Sequence, residues 1–341
     1  MKMKKNRIDY IDIARGLAIM LIVVGHIINK SMHTSLLIKI IYSFHVALFF
    51  FISGYLFNSN KKITEFAKNK FIRLMIPYFF WSVVFLIPYY IFGRDVGGQL
   101  GISSSYDIKT ILYNIVYGNG NSSALRQNSA LWFLPALFTT EIFFYFLINL
   151  FKESKKYILF FICIVIGILS QTYLKIYLPW GINSFLNIGV YFMVGNIFKD
   201  INISKFSNIK ISFIAFFTLF FGLIAAFFNT ETINCIEYSY GNIYLAYISG
   251  TLLSIFFILI SYKISKNKIL SYIGKNTMSI LIFHKLIILV FQTKLGIISK
   301  LLINSNFYVE FIIGIIVMFI TIIVSIVIGK TIKKYFPILI G

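Results

Sequence analysis

The sequence predicts an all-α, polytopic integral membrane protein of about ten transmembrane helices with both termini in the cytoplasm. Three observations carry that reading. Hydrophobic residues make up 59% of the 341-residue chain and charged residues only 13%, whereas a water-soluble surface needs roughly 25% charge. The apolar residues fall in runs close to the roughly 20 residues that a bilayer-spanning helix needs, without the period-2 alternation of barrel strands. The cations are unevenly shared between the connections.

In chain order the ten runs are 11–30, 40–58, 74–93, 131–151, 157–174, 182–198, 211–229, 240–262, 276–295 and 307–329. Gly, Asn and Ser interrupt several of them, which suits close helix packing. With the N-terminus inside and the spans alternating, cytoplasmic segments hold 22 of the 32 Lys and Arg residues and the outer side holds nine. That is the asymmetry of the positive-inside rule. The net charge of +21 would suggest a nucleic-acid binder in a soluble protein. Sorted by segment it is topological, and no nucleic-acid partner is expected. The basic N-terminus resembles the start of a secretory signal, but the run behind it carries Asp12, Arg15 and His26 and no small-residue cleavage site. It reads as a retained first helix. Cys163 in an apolar run and Cys235 in a polar loop imply no disulfide framework.

Two connections exceed a hairpin: a basic cytoplasmic loop at 59–73 and an outer loop at 94–130, rich in Gly, Ser and Asn and long enough to be functional. Residues 1–341 read as a single transmembrane domain with no appended soluble domain, and no internal repeat is visible.

Ionisable side chains inside membrane helices are costly, at least ~2.5–3.5 kcal/mol at mid-depth, and are functional candidates for that reason. His26 lies eleven positions after Arg15, which is about 20° beyond three full turns, so they share one stripe about 16 Å apart along the axis. Asp12, three residues earlier, can hold the guanidinium. A structural ion pair with a packing histidine accounts for the same pattern. His45, at the outer end of the second helix, sits at the depth of His26, and histidine is the side chain suited to proton transfer near neutral pH. A single bond to a backbone carbonyl would also explain it. His33 reads as solvated and His284 as a packing or supporting residue.

Glu141 is the one carboxylate deep in helices four to ten. It needs a cationic or histidine partner and is expected to face the same polar interior. Trp132 begins that helix at the outer boundary, where belt tryptophans sit. Lys70 and Arg73 precede Pro77 at the entry of the third helix. Arg73 suits a phosphate-bearing donor because arginine binds phosphate bidentately.

These residues carry a resemblance. The run from Tyr10 to His26, with Arg15 and His26 separated by ten residues, resembles a motif of the membrane-bound acyltransferase 3 family. Phe44-His-Val-Ala-Leu-Phe-Phe-Phe-Ile-Ser-Gly54 is similar to its second-helix motif, and Phe71-Ile-Arg-Leu-Met-Ile-Pro-Tyr78 to its third-helix entry. Ala130-Leu-Trp-Phe-Leu-Pro-Ala-Leu-Phe138 followed by Glu141 resembles the subgroup containing fucose 4-O-acetylase-like enzymes, and Ile273 to Ile280 with Phe283-His284 a late motif. The order extends over nearly the whole chain. The resemblance implies O-acetylation of a cell-surface or lipid-linked saccharide with acetyl-coenzyme A as donor, in a bacterial cytoplasmic membrane. His26 takes the catalytic role, Arg15 the essential arginine, and Arg73 the donor-side basic position. Lys70 stands where a second arginine would be expected, and the chain continues only eleven residues past Lys330.

Joined to the residue reading, this gives a mechanism. Coenzyme A phosphates bind Lys70 and Arg73, and the thioester arm runs past Arg15. His26 serves as general base on a sugar hydroxyl, with His45 or Glu141 tuning it or His45 donating to the oxyanion. Trp132 and Asp12 border the substrate. No metal is expected. The expected partners are membrane lipids and the glycan acceptor, with room for a homodimer or glycan-assembly proteins. The competing class is a proton-coupled transporter or flippase of lipid-linked sugars, with Arg15, His26 and Glu141 as a relay.

Overall fold

The computed structural model describes residues 9–28, 35–90, 108–118, 125, 127–151, 155–174, 176–293 and 307–341. Among them nine helices are long and apolar enough to cross a bilayer, and a bent helix pair supplies a tenth span. No strand is present among the described residues. The protein is an all-α polytopic membrane protein, as the sequence predicts.

The elements run α1 (Asp9–Ile27), α2 (Ser35–Tyr55), α3 (Ile63–Lys70), α4 (Ile76–Val84), α5 (Ile108–Tyr117), α6 (Phe133–Phe151), α7 (Lys156–Tyr173) and α8 (Ile182–Phe198). They continue with α9 (Asn208–Phe228), α10 (Ile243–Ile264), α11 (Lys268–Lys275), α12 (Thr277–Thr293) and α13 (Phe307–Tyr335). A 3₁₀ turn, Ser129–Trp132, leads into α6, and another, Pro337–Ile340, follows α13.

Two predicted loops are partly helical. The basic segment 59–73 is non-helical only up to Lys62; from Ile63 it is α3, which passes through a π turn at Phe71–Met75 into α4. Pro77 explains the π turn: it has no N–H to give to the carbonyl four residues back, that of Arg73, so the regular ladder breaks there. Of the predicted outer loop 94–130, residues 94–107, 119–124 and 126 lie outside the described residues, as do His33 and the basic residues before Asp9. The described part contains α5. Tyr78 Oη donates to Ile115 O at 2.9 Å and Trp180 Nε1 to Val116 O at 2.9 Å, so α5 is pinned to α4 and to the turn before α8.

Close helix crossings depend on glycine. Gly16 of α1 and Gly274 of α11 face each other backbone to backbone: a Cβ on Gly16 would lie 2.3 Å from Leu270 O, and one on Gly274 1.7 Å from Asp12 O. Gly54 of α2 and Gly195 of α8 form a second reciprocal pair, each with a carbonyl 1.9 Å from where its Cβ would be. Small residues let membrane helices approach this closely. After Gly274 the chain turns by 78° at the break between α11 and α12, and Asn276 Nδ2 closes the end of α11 by donating to Tyr272 O at 2.8 Å. Side chains on the outer faces of α7, α9 and α13, such as Phe161, Phe216 and Ile323, are exposed, which places apolar surface against lipid.

The loop between α9 and α10 is packed rather than open. Asn229 ties its ends together, donating to Tyr240 O at 3.0 Å and accepting from Asn242 N at 2.8 Å. Cys235 within it is a free, buried thiol, which burial pushes up to about 12, so it is unreactive at neutral pH.

The glycine crossings give the first test. Gly274→Ala is expected to destabilise the protein by roughly 1–3 kcal/mol, as overpacking of a tight contact does, lowering its thermal unfolding midpoint in detergent. Gly314→Ala, whose added Cβ would meet only Ile27 and Ile28 side-chain carbons at 3.3 Å or more, is expected to leave that midpoint nearly unchanged.

Candidate active site

A cavity of about 250 Å³ opens inside the bundle between α1, α2, α6, α12 and the end of α13. Its wall has three zones. At the end where α1 begins, Arg15, Arg73, Lys275, Lys330 and Lys333 line the mouth together with Asn276, Thr277 and Ser279 at the start of α12. Arg73 and the three lysines are exposed to solvent. Farther in, the lining is apolar, with Ile19, Ile22, Val46, Phe49, Phe133, Leu134 and Leu137. Beyond lie His26, His45, His284 and Lys285, with Trp132 and, from the α9–α10 loop, Ile236.

The helices explain this layering. Arg15 and His26 lie on one stripe of α1, about 16 Å apart, so one helix supplies a cation at the mouth and an imidazole in the depth. The Gly16–Gly274 crossing sets α11 against the Arg15 end of α1, and the 78° turn then sends α12 inward beside α1. His284 is thereby stacked on His26, ring centroids 5.4 Å apart and planes at 29°. The sequence reads His284 as a packing or supporting residue, and it lies against His26.

The imidazoles are oriented from behind. His45 Nδ1 donates to Ile41 O at 2.8 Å. His284 Nδ1 faces Ile280 O at 2.8 Å and Leu281 O at 3.0 Å. Because a carbonyl only accepts, Nδ1 carries the proton in both rings. His284 Nε2 is buried without a partner among the described residues. His26 Nδ1 lies 3.4 Å from Tyr42 Oη, and Tyr42 packs edge-on against His45 with centroids 4.8 Å apart. Tyr42 thus links the two histidines. It escaped the sequence reading because a tyrosine near a helix end is common in membrane proteins.

Lys285 also escaped it, counted among the outer cations. Its Nζ donates to Ser129 Oγ, and Asn128 holds that turn by donating to Ile282 O at 2.8 Å and accepting from Ala130 N at 3.2 Å. Its position one residue after His284 in an apolar helix was the available signal.

Five of the eight sequence-selected residues line the cavity: Arg15, His26, His45, Arg73 and Trp132. Asp12 is buried behind Arg15, its carboxylate 3.8 Å from the guanidinium. Lys70 and Glu141 are not among the lining residues. Lys70 Nζ instead donates to Glu141 Oε1 at 2.6 Å. Glu141, expected to need a cationic or histidine partner and to face the polar interior, thus has a cationic partner on α3 and lies outside the cavity lining. Because α3 begins at Ile63, Lys70 is carried on a helix beside α6 rather than on a loop, and it supplies the cation that a buried carboxylate requires. Among the described residues no group of three or more His, Cys, Asp or Glu could hold a metal ion.

With this geometry in view, the comparisons with known proteins are specific. A family profile described as an acyltransferase domain matches residues 8–330. The chain belongs to the acyltransferase 3 family. A nodulation protein, NolL, of Sinorhizobium fredii (strain NBRC 101917 / NGR234) is 30% identical over 112 residues, 29% of this chain and 31% of that protein. The match thus spans under a third of the relative's length. No solved structure matches the chain. By family and architecture the chain is a multi-pass membrane member of the acyltransferase 3 family.

The Lys70–Glu141 pair yields a test that separates scaffolding from chemistry. Removing one partner of a fully buried ion pair costs about 3–5 kcal/mol. Lys70 is 26% exposed, so Glu141→Ala is expected to cost roughly 1–3 kcal/mol. The double change Lys70→Met with Glu141→Leu is expected to recover most of that loss, measured as thermal unfolding midpoints in detergent.

Proposed function

We propose that the protein transfers an acetyl group from cytoplasmic acetyl-coenzyme A to a hydroxyl of a cell-surface or lipid-linked saccharide in a bacterial cytoplasmic membrane, with His26 as general base. The observation that carries this reading is the single cavity joining a cationic mouth to a cluster of imidazoles. A donor bearing several phosphates and a long thioester arm suits such a site. Its phosphates would meet Arg73, Lys275, Lys330 and Lys333, reinforced by the N-terminus of α12, where free N–H groups favour anions. Arg15, held by Asp12, would steer the arm inward. The apolar middle zone accepts the arm and excludes water from the thioester.

At the far end His26 presents the imidazole ring to the chamber while Tyr42 Oη addresses its Nδ1. Its Nε2 is then the nitrogen that takes the proton from an attacking hydroxyl. A positioned general base contributes roughly 10²–10⁴-fold. His45 and Tyr42 hold the base, and Trp132 offers the flat apolar face that sugar rings stack on. In this proposal Arg73 keeps its donor-side position. Lys70, paired with Glu141, acts on the shape of the α3–α6 contact rather than on the donor's phosphates. The saccharide would enter from the end closed by the α9–α10 loop and the 3₁₀ turn at Ser129–Trp132.

Replacing His26 with Ala is expected to reduce acetyl transfer to cell glycan by at least 10²-fold while the protein is still produced and inserted, read as O-acetyl signals in NMR spectra of glycan from complemented deletion cells. Normal O-acetylation in that strain would overturn the assignment. Membrane orientation is tested separately: single cysteines placed at Lys62 and Lys266 are expected to be shielded from an impermeant thiol reagent in intact cells and labelled after permeabilisation. Labelling in intact cells would reverse the proposed topology.

A further inference from the structure

We propose that the Lys285 ammonium holds the oxyanion that forms when a hydroxyl attacks the thioester carbonyl beside His26. This rests on the acyl-transfer reading and adds to it the group that carries the developing charge.

The imidazoles around His26 are unsuited to that task. His45 and His284 both spend their Nδ1–H on backbone carbonyls, so each neutral ring offers only a lone pair at Nε2. The cations of the mouth lie elsewhere: Arg15 is about 16 Å along α1 from His26. Trp132, on the neighbouring turn, brings a neutral indole. Among the described residues that line the cavity, Lys285 is the cation beside the histidines. It lines the same chamber as His26 and His284.

Its placement is built. Ser129 Oγ accepts one of the three ammonium protons, and Asn128 fixes that turn to the backbone of α12 itself at Ile282. The ammonium therefore keeps donors for the chamber. Among the described residues no carboxylate pairs with Lys285, unlike Arg15 and Lys70, each of which has one. An ammonium without an anion in an apolar membrane interior is costly. A negative charge arising on a substrate oxygen would relieve that cost at the moment of reaction, which is where preorganised donors are most effective.

His26 Nε2 takes the hydroxyl proton as the hydroxyl oxygen bonds to the carbonyl carbon. The carbonyl π pair moves onto its oxygen, next to Lys285 Nζ. When that pair re-forms the double bond, the carbon–sulfur bond breaks and the thiolate takes the proton from the His26 imidazolium. The products are an ester and free coenzyme A thiol.

The test uses the full-length protein in proteoliposomes, with acetyl-coenzyme A as donor and glycan from cells lacking the enzyme as acceptor. Thiol release and labelled acetyl in the glycan are both followed. Lys285→Met is expected to lower kcat by about 10²–10³-fold with KM for acetyl-coenzyme A within about threefold of wild type. Lys285→Arg is expected to recover at least tenfold of that loss, and Ser129→Ala to lose about tenfold in kcat by loosening the ammonium. A Lys285→Met enzyme with kcat within about threefold of wild type would overturn the proposal. So would a defect confined to KM, which would make Lys285 an acceptor anchor. If Lys285→Met does not fold, Ser129→Ala decides, with unchanged kcat counting against. A wild-type protein that neither transfers nor hydrolyses acetyl-coenzyme A would sink the acyl-transfer reading itself; an active wild type matched by an active Lys285→Met sinks only the role of Lys285.

Discussion

The contact between Gly16 and Gly274 is the constraint on which the site depends. Two backbones meet there at a distance no side chain could occupy, and the meeting fixes where α11 lies on α1. The turn at Asn276 then aims α12 along α1, and the depth of everything that follows is set. His284 reaches His26, and Lys285 reaches the turn at Ser129. The Gly54–Gly195 pair does the same for α2 against α8, steadying the helix that carries Tyr42 and His45. Glycine is poor at holding a helix by itself, costing about 1 kcal/mol relative to Ala. In a bilayer, where helices gain little from apolar burial against one another, close approach and its dispersion contacts compensate.

Charge is handled in three different ways along the interior. Lys70 and Glu141 neutralise one another at the α3–α6 contact. Arg15 is held by Asp12 but keeps one side in the cavity. Lys285 is held by a hydroxyl. In the proposed reaction the series runs from scaffold to chemistry: the more completely a charge is matched by protein, the less it has left for a ligand. This ordering separates residues that composition treats alike, because all of them are ionisable groups in apolar helices.

The cavity also joins two environments with little in common. Its mouth is solvent-exposed and cationic, and its inner end is packed with aromatic rings beneath the α9–α10 loop. In the proposed reaction, phosphates and water belong to the first, a thioester and a sugar hydroxyl to the second. The apolar zone of Ile19, Ile22, Val46 and Phe49 between them lowers the local dielectric, so a dipole or charge placed beyond it acts more strongly than it would in water.

The sequence by itself determined the ten apolar runs, the placement of cations between them, and the single stripe that joins Arg15 to His26. Each follows from short-range rules: a bilayer fixes helix length, and a helix fixes the angle between residues eleven apart. It also singled out His45, Arg73 and Trp132, which line the cavity, because an unusual residue type in an apolar helix is visible wherever that helix goes. What only the tertiary structure decided was partnership. Glu141 shows its depth in sequence but not the lysine opposite it, since the start of α3 at Ile63 is masked by a run that reads as a basic loop. Lys285 reads as one more outer cation until α12 is bent against α1 and set beside Ser129, 156 residues away in the chain. Helical periodicity carries no information about which helices touch; the glycine crossings that decide it act between segments as distant as Gly16 and Gly274.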